Sequence, residues 1–219
     1  DHKFIFLKTK KTAGTSIEMY FQDYCVPPEL RAELAATGAS TQTQGVESQH
    51  GIVAYRGPRD PEQKLYNHMS AAEVRAYAPD LFENYFKFTV VRNPYDKVVS
   101  FFWHRNRKRE ELKNPDFETV RYEFKKWLKA VGVRPRDRSV YSIDGNLVVD
   151  YCIRYESLME GLEHVCRVTG IPYEPDRLGT FKGGYHAVSR PYQDYYDDET
   201  REMVRKFFAP DLSRFGYAF

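Results

Sequence analysis

The apolar positions of this chain fall into short blocks separated by polar turns marked by glycine and proline, and the spacing inside each block predicts its element. Phe4 to Leu7 is a continuous apolar run of strand length. From Thr15 the period changes: Ile17, Tyr20, Phe21 and Tyr24 recur at helical spacing, and Pro27-Pro28 closes that helix. Thr37 to Pro61 is polar, rich in Gly, Gln, Ser and Thr, and reads as a long loop or insertion. Ser70 and Glu73 have capping-box spacing and start a short helix just after His68. Phe88, Val90 and Val91 form a second strand, Asn93-Pro94 a turn, and Val98, Phe101, Phe102 and Arg105 a helix. Phe117 to Leu128 is another helix. LVVDYCIRYESLMEGLEHVCRVTG reads as strand, turn and helix, stopping at Gly170. DDETREMVRKFFAPD is an amphipathic helix from about Asp197, with Tyr195, Tyr196, Val204, Phe207, Phe208 and Phe215 assigned to packing.

Strands alternating with helices predict an α/β fold, a three-layer sandwich whose central parallel sheet is covered by helices. No repeat or linker divides it, so one domain over residues 1–219 is expected, with the polar insertion at about 37–61. Ligands of such sheets bind at the carboxyl ends of the strands. Three strand exits therefore matter, after Leu7, after Val91 and after Tyr155.

Composition narrows the classes. Hydrophobic residues at 42% and aromatics at 16% mean a folded core, and a net charge of +2 from 33 basic and 31 acidic residues does not describe a dedicated nucleic-acid binder. Cys25, Cys152 and Cys166 are too few and too scattered for a disulfide framework or a metal site, which points to reduced thiols in a cytoplasm. No membrane span or signal peptide is visible. The expectation is a cytoplasmic protein of bacterial type; a lumenal catalytic domain trimmed of its anchor is the alternative. The chain opens directly on a strand, which leaves room for a preceding piece, and nothing in it indicates an oligomeric state.

The first strand exit reads KTKKTAGTSIE. A loop leaving a buried strand for a helix aims several backbone N–H groups at one spot, where the helix dipole adds positive potential. Gly14 allows close backbone approach, Thr12, Thr15 and Ser16 add hydroxyls, and Lys11 adds a mobile charge. This is the chemistry of a phosphate cradle, P-loop-like without being a Walker A loop, since no G-x-x-x-x-G-K-[ST] is present. A solvated turn with an ordinary N-cap at Thr15 or Ser16 fits the same spacing.

KTKKTAGTSIE resembles the 5′-phosphosulfate-binding loop of the sulfotransferases that use 3′-phosphoadenosine 5′-phosphosulfate (PAPS), in particular the carbohydrate 2-O type and its bacterial relatives. Lys11, Thr12, Gly14, Thr15 and Ser16 match position by position around Ala13, whereas Lys10 stands where many members have proline. The resemblance implies that Lys11 contacts the leaving phosphate and the sulfuryl group, and that the hydroxyls and amides of residues 12–16 hold that phosphate. VVRNPYDKVVSFF is similar to the same family's 3′-phosphate element, with Arg92 at the strand exit and Ser100 two turns into the helix; arginine's fork suits phosphate. FKGGYHAVSRPY resembles, more loosely, the basic loop that closes over the nucleotide's 3′ side, through Lys182 and Arg190. Arg154 to Leu158 and the C-terminal tail also match.

The implied reaction is sulfuryl transfer from PAPS to a hydroxyl of an acceptor, most simply a saccharide or glycolipid, releasing adenosine 3′,5′-bisphosphate (PAP) without a metal and without a nucleic-acid partner. Such transfer rests on positioning and electrostatics, with a base to take the acceptor's proton. His68, just before a helix start, is the expected base, because the 2-O enzymes carry a histidine in a comparable region. His50 is the reserve, and Glu18 is the carboxylate alternative, with support of Lys11 as its plainer role. The basic runs WHRNRKREELK and RPRDR are either solvated faces or a rim that attracts an anionic acceptor. Two other classes compete: a small-molecule or nucleoside kinase with a degenerate phosphate loop, and a non-catalytic nucleotide-binding module.

Overall fold

The computed structural model describes residues 2–37, 45–57, 60–179 and 190–219, with the side chains of 33–37 left aside. In chain order the elements are β1 (Phe4–Leu7), α1 (Gly14–Gln22), α2 (Pro28–Thr37), β2 (Val46–Ser48), β3 (Gly51–Val53), α3 (Ala71–Tyr77), α4 (Pro79–Asn84), β4 (Phe86–Val91) and α5 (Pro94–Asn106). There follow α6 (Phe117–Val131), β5 (Ser142–Ile143), β6 (Asn146–Leu147), β7 (Tyr151–Arg154), α7 (Leu158–Thr169), α8 (Asp198–Phe207) and α9 (Ala209–Phe215). They gather into two compact units, Asp1–Val91 with Asp137–Phe181, and Arg92–Arg136 with Lys182–Phe219.

The first unit is built on a parallel sheet of order β1-β4-β7. Its strands are apolar because both faces are covered, the usual condition of parallel strands. Phe88 and Val90 of β4 and Ile153 of β7 meet Ile17 and Phe21 of α1 and Leu162 and Val165 of α7, all at most 2% exposed. The Phe6 and Phe88 rings, paired in register, stack with centroids 5.1 Å apart. A hydroxyl reinforces the ladder: Thr89 Oγ1 donates to the Leu7 carbonyl at 2.6 Å. α7 ends at Gly170 in the left-handed conformation, as its glycine predicts.

The polar stretch read as a loop is partly ordered. β2 and β3 pair antiparallel, Val46 opposite Val53. Val53 and Val26 form a small core of their own, with Val46 and Leu30 against it. Two apolar residues on one face suffice to hold a short hairpin against a helix, but that signal is too small to stand out in a polar sequence. Pro27-Pro28 also does not close the first helix. α1 stops at Gln22, Tyr24 lies outside it, and Pro28 opens α2, since proline is tolerated at a first helical turn. α4 escapes the periodicity because it has only 6 residues. β5 and β6 pair around Asp144-Gly145, both with positive φ. The capping box at Ser70 and Glu73 is formed on both sides.

The second unit packs α5, α6 and α8 around Phe102, Trp103, Phe124, Leu128 and Val204. Tyr195 and Tyr196 are buried there with their hydroxyls engaged: Trp103 Nε1 donates to the Tyr195 hydroxyl at 3.0 Å, and Tyr196 donates to the Tyr95 carbonyl at 2.8 Å. The tail's aromatics are thus packing residues. The last helix is broken in two at Phe208, with proline in the first turn of α9. Among the described residues no helix is long and apolar enough to cross a membrane.

α7 packs tightly on β7 at Gly161, where an added Cβ would lie 2.5 Å from Ile153 Cγ2. We expect Gly161→Ala to lower stability although alanine is the better helix former. Overpacking a rigid β-branched neighbour costs roughly 1–3 kcal/mol, against a helix-propensity gain of about 1 kcal/mol. A melting temperature equal to or above that of the unaltered protein would contradict this packing.

Candidate functional site

The chain between β1 and α1 is braced from beneath by side chains. Thr9 is buried, and its hydroxyl donates to the Val90 carbonyl at 2.6 Å. That proton being committed, the 2.8 Å contact between the Thr9 and Thr12 hydroxyls has Thr12 as donor. The Lys10 amide donates to Asp137 Oδ2 at 2.7 Å. Thr12, fully buried, therefore gives its hydroxyl proton to the loop itself, which leaves its backbone amide as the group it can offer a ligand.

Above these braces the backbone turns sharply. Lys11 and Ala13 both have left-handed φ, 62° and 57°. Left-handed residues in such a turn direct successive amides toward one concave side, a geometry suited to anions. Ala13 is the N-cap of α1 and makes no side-chain capping bond, so the ordinary cap at Thr15 or Ser16 is not what forms. Both residues instead lie buried in the first turn. Gly14 has a specific steric reason: a Cβ there would meet Lys8 Cγ at 2.8 Å and the Thr9 carbonyl oxygen at 3.2 Å. The close approach it permits is between the first helical turn and the strand exit.

His68 joins this loop from the other direction. An isolated bridge pairs Tyr55 with Tyr66, the Asn67 amide donating to the Tyr55 carbonyl at 2.9 Å, and so carries the chain back toward β1. His68 then takes a left-handed φ of 62° and places Nδ1 2.8 Å from the Lys8 carbonyl. A carbonyl can only accept, so Nδ1 carries the proton and Nε2 keeps its lone pair. Burial is the main cause that lowers this imidazole's pKa from 6.5 to about 4; the Lys8 and Lys10 charges push the same way, against the Lys8 carbonyl and Asp137. The ring is neutral at pH 7 in the tautomer that a base acting through Nε2 requires.

Lys8, which sequence reasoning passed over, is the common partner. Its Nζ binds Glu18 and donates to Asn67 Oδ1 at 3.1 Å. Glu18 is also held by Arg56 Nε at 3.1 Å, and the same guanidinium reaches Gln22. Glu18 thus supports Lys8. No spacing motif marks Lys8, Arg56, Asn67 or Asp137, so only the folded chain could identify them. His50 stands exposed in the β2–β3 turn.

In the second unit, Arg92 follows β4 directly, and its Nε donates to Asp96 Oδ2 at 2.7 Å, which fixes the guanidinium beside the first turn of α5. Ser100, 7% exposed, lies one turn beyond Asp96 on that helix. Arg190 is exposed and stacks over the Phe117 ring, 5.4 Å from its centroid. Lys182 lies outside the described residues.

The fold is α/β, with a central parallel sheet of three strands flanked by helices, as in the sulfotransferase fold. The chain is a member of the sulfotransferase family: the model of that family matches residues 1–218. No curated protein and no solved structure gives a match. The protein is therefore a PAPS-dependent sulfotransferase, moving a sulfuryl group to a hydroxyl-bearing acceptor with PAP as the other product. The kinase and the non-catalytic module give way to that assignment.

The state of His68 can be measured directly. Imidazole nitrogen shifts should report a neutral ring protonated on Nδ1, unchanged from pH 8 to 6 and titrating at about 4. The unfolded value is about 6.5, so between the two values the unfolded chain binds more protons. The contribution to stability is complete above about 6.5 and is lost as pH falls from there through about 4. His68→Asn, which tolerates the left-handed backbone, should flatten that part of the pH–stability curve. A ring that titrates near 6.5 in the folded protein would mean that the imidazole is not buried in solution.

Proposed function

We propose that the whole chain acts as one catalytic domain in which the Lys11–Ser16 loop receives the 5′-phosphosulfate end of PAPS and His68 serves as general base toward a saccharide or glycolipid hydroxyl. The observation that carries this reading is the 2.8 Å bond from His68 Nδ1 to the Lys8 carbonyl. It holds the imidazole, which burial keeps neutral, at the root of the loop with its proton on Nδ1. The free thiols of Cys25, Cys152 and Cys166 support a reducing, cytoplasmic setting.

The donor fits the residues present. The left-handed turn at Lys11 and Ala13 and the uncapped start of α1 offer donors to an anion without a metal. PAPS supplies an activated sulfuryl group. His68 Nε2 takes the acceptor's proton as the acceptor oxygen bonds to sulfur and the bridging P–O–S bond breaks, its electron pair remaining on the phosphate oxygen of PAP. Lys11 and the loop amides stabilise the charge that grows on that oxygen. Arg92 and Ser100 are assigned the 3′-phosphate, with Lys182 and Arg190 as the basic loop on the nucleotide's 3′ side; family resemblance supports these roles.

Three substitutions separate the roles. Arg92→Ala should weaken PAP by about the 1.5–3 kcal/mol of a charged hydrogen bond while leaving adenosine 5′-phosphosulfate, which lacks the 3′ group, nearly unaffected. Equal weakening of both ligands in calorimetric titrations would remove Arg92 from that role. Lys11→Ala should lower turnover with any acceptor by about 10²–10³. His68→Asn should lower turnover while PAP affinity stays intact; near-normal turnover would move the base to His50 or Glu18. PAP should also bind without magnesium and more tightly than ATP, and by offsetting the Lys8 and Lys10 charges it should raise the His68 pKa above about 4. An unchanged pKa in saturating PAP would place the anion away from the Lys8 end of the loop.

A further inference from the structure

Beside β1, at the free edge of the three-stranded sheet, lies a cavity of about 490 Å³. Its walls are β1, the β2–β3 hairpin, and the chain from Leu65 through α3 to the start of β4, all within the first unit. His68 and Lys8 line it. Away from them the walls are largely apolar or aromatic, with Phe4, Phe6, Ile52, Val74, Tyr77 and Leu81 among them. That volume and this pairing of an apolar body with a few polar groups are those of a small-molecule site.

The charges in its wall narrow the occupant. Lys3 and Lys8 are the cationic lining residues and Glu18 and Glu47 the anionic ones, so with histidines counted neutral the lining sums to zero. Lys8 is bound to Glu18, which Arg56 also holds, and Glu47 accepts from the Tyr77 hydroxyl at 2.7 Å. A chain of uronic-acid or sulfated sugars needs more cations than anions along it, and this lining has two of each. An apolar group needs what it does offer, a sheet edge faced with phenylalanine and aliphatic side chains.

We infer that the cavity binds the apolar body of an uncharged acceptor, an alkyl-bearing alcohol or glycoside, whose hydroxyl lies at the His68 end. This rests on His68 being the base, and it specifies the acceptor of that same site: a neutral glycolipid or lipid alcohol rather than an anionic polysaccharide. The polar insertion then has a purpose, since its hairpin supplies the wall opposite β1.

The test is calorimetric binding of methyl, butyl, hexyl and octyl β-glucoside, below micellar concentration, to the PAP-loaded protein. Octanol and a glucuronate-containing oligosaccharide are the further arms. Affinity should rise by roughly fourfold for each methylene that enters the cavity, and the oligosaccharide should bind more weakly than octyl glucoside. Octanol binding as tightly as octyl glucoside would identify a lipid alcohol as the natural class; weaker binding would identify a glycolipid. Leu81, 37% exposed on α4, can be changed with little risk to the core. Leu81→Glu should abolish the chain-length dependence while methyl glucoside binds as before. Affinity independent of chain length, or preference for the oligosaccharide, overturns the inference. Because binding is read directly, that result is distinct from failure of PAP to bind, which would overturn the proposed function instead.

Discussion

Lys8 ties the exit of β1 to α1 and to the segment that carries His68, and the candidate site has its shape because those three meet at one residue. The backbone carbonyl orients the imidazole, Nζ binds Glu18 and Asn67, and the methylene stem lies where a side chain on Gly14 would have to go. The Lys8 and Glu18 side chains are only 10% and 12% exposed. A buried pair of this kind is weak evidence of stability in itself, but removing one partner leaves an uncompensated charge and costs roughly 3–5 kcal/mol. The pair therefore selects one arrangement of helix and strand more than it strengthens it. Arg56 extends that selection to the polar insertion, which would otherwise have little to fix it against α1.

Strain in the loop has the same origin. Lys11, Ala13 and His68 all take left-handed φ although none is glycine, and such conformations persist only where the surroundings over-determine them. Here the surroundings are visible: the Thr9 bond to Val90, the Thr12 bond to Thr9, Asp137 on the Lys10 amide, and the Lys8 carbonyl on His68. The braces hold the turn in this conformation without help from a ligand, so in the proposed function less ordering remains to oppose binding.

The strands of the parallel sheet and the long helices were legible in the sequence because each rests on local information. Phe4–Leu7 is a continuous apolar run, Ser70 and Glu73 satisfy each other within one turn, and Gly170 sits where a left-handed cap is needed. The β2–β3 hairpin was not legible, since it packs on Val26, twenty residues before Val46 in the connection between α1 and α2. The site divides along the same line. Lys11, Gly14 and His68 lie in recognisable stretches, whereas Lys8, Arg56, Asn67 and Asp137 act through partners ten to 127 residues away. Gly14 was found for one reason and is needed for another: sequence pointed to an anion, but the atoms it accommodates are those of Lys8 and Thr9.

In the mechanism we propose, the environment of His68 sets how the labour of catalysis is divided. A base is most effective when its pKa lies near the working pH, and burial, reinforced by the Lys8 and Lys10 charges, holds this one well below it at about 4. A base so weak removes little of a hydroxyl's proton before the oxygen has begun to bond elsewhere. Its value is in being neutral throughout the physiological range, with its lone pair already on the correct nitrogen. The larger share must then fall to groups that meet the growing negative charge, Lys11 and the amides of the turn, where a preorganised donor is most effective. The coupling also runs the other way, because an anion seated on the loop offsets the lysines that depress the imidazole. In that mechanism the base strengthens when a donor is in place, so proton removal from the acceptor is favoured where transfer can follow.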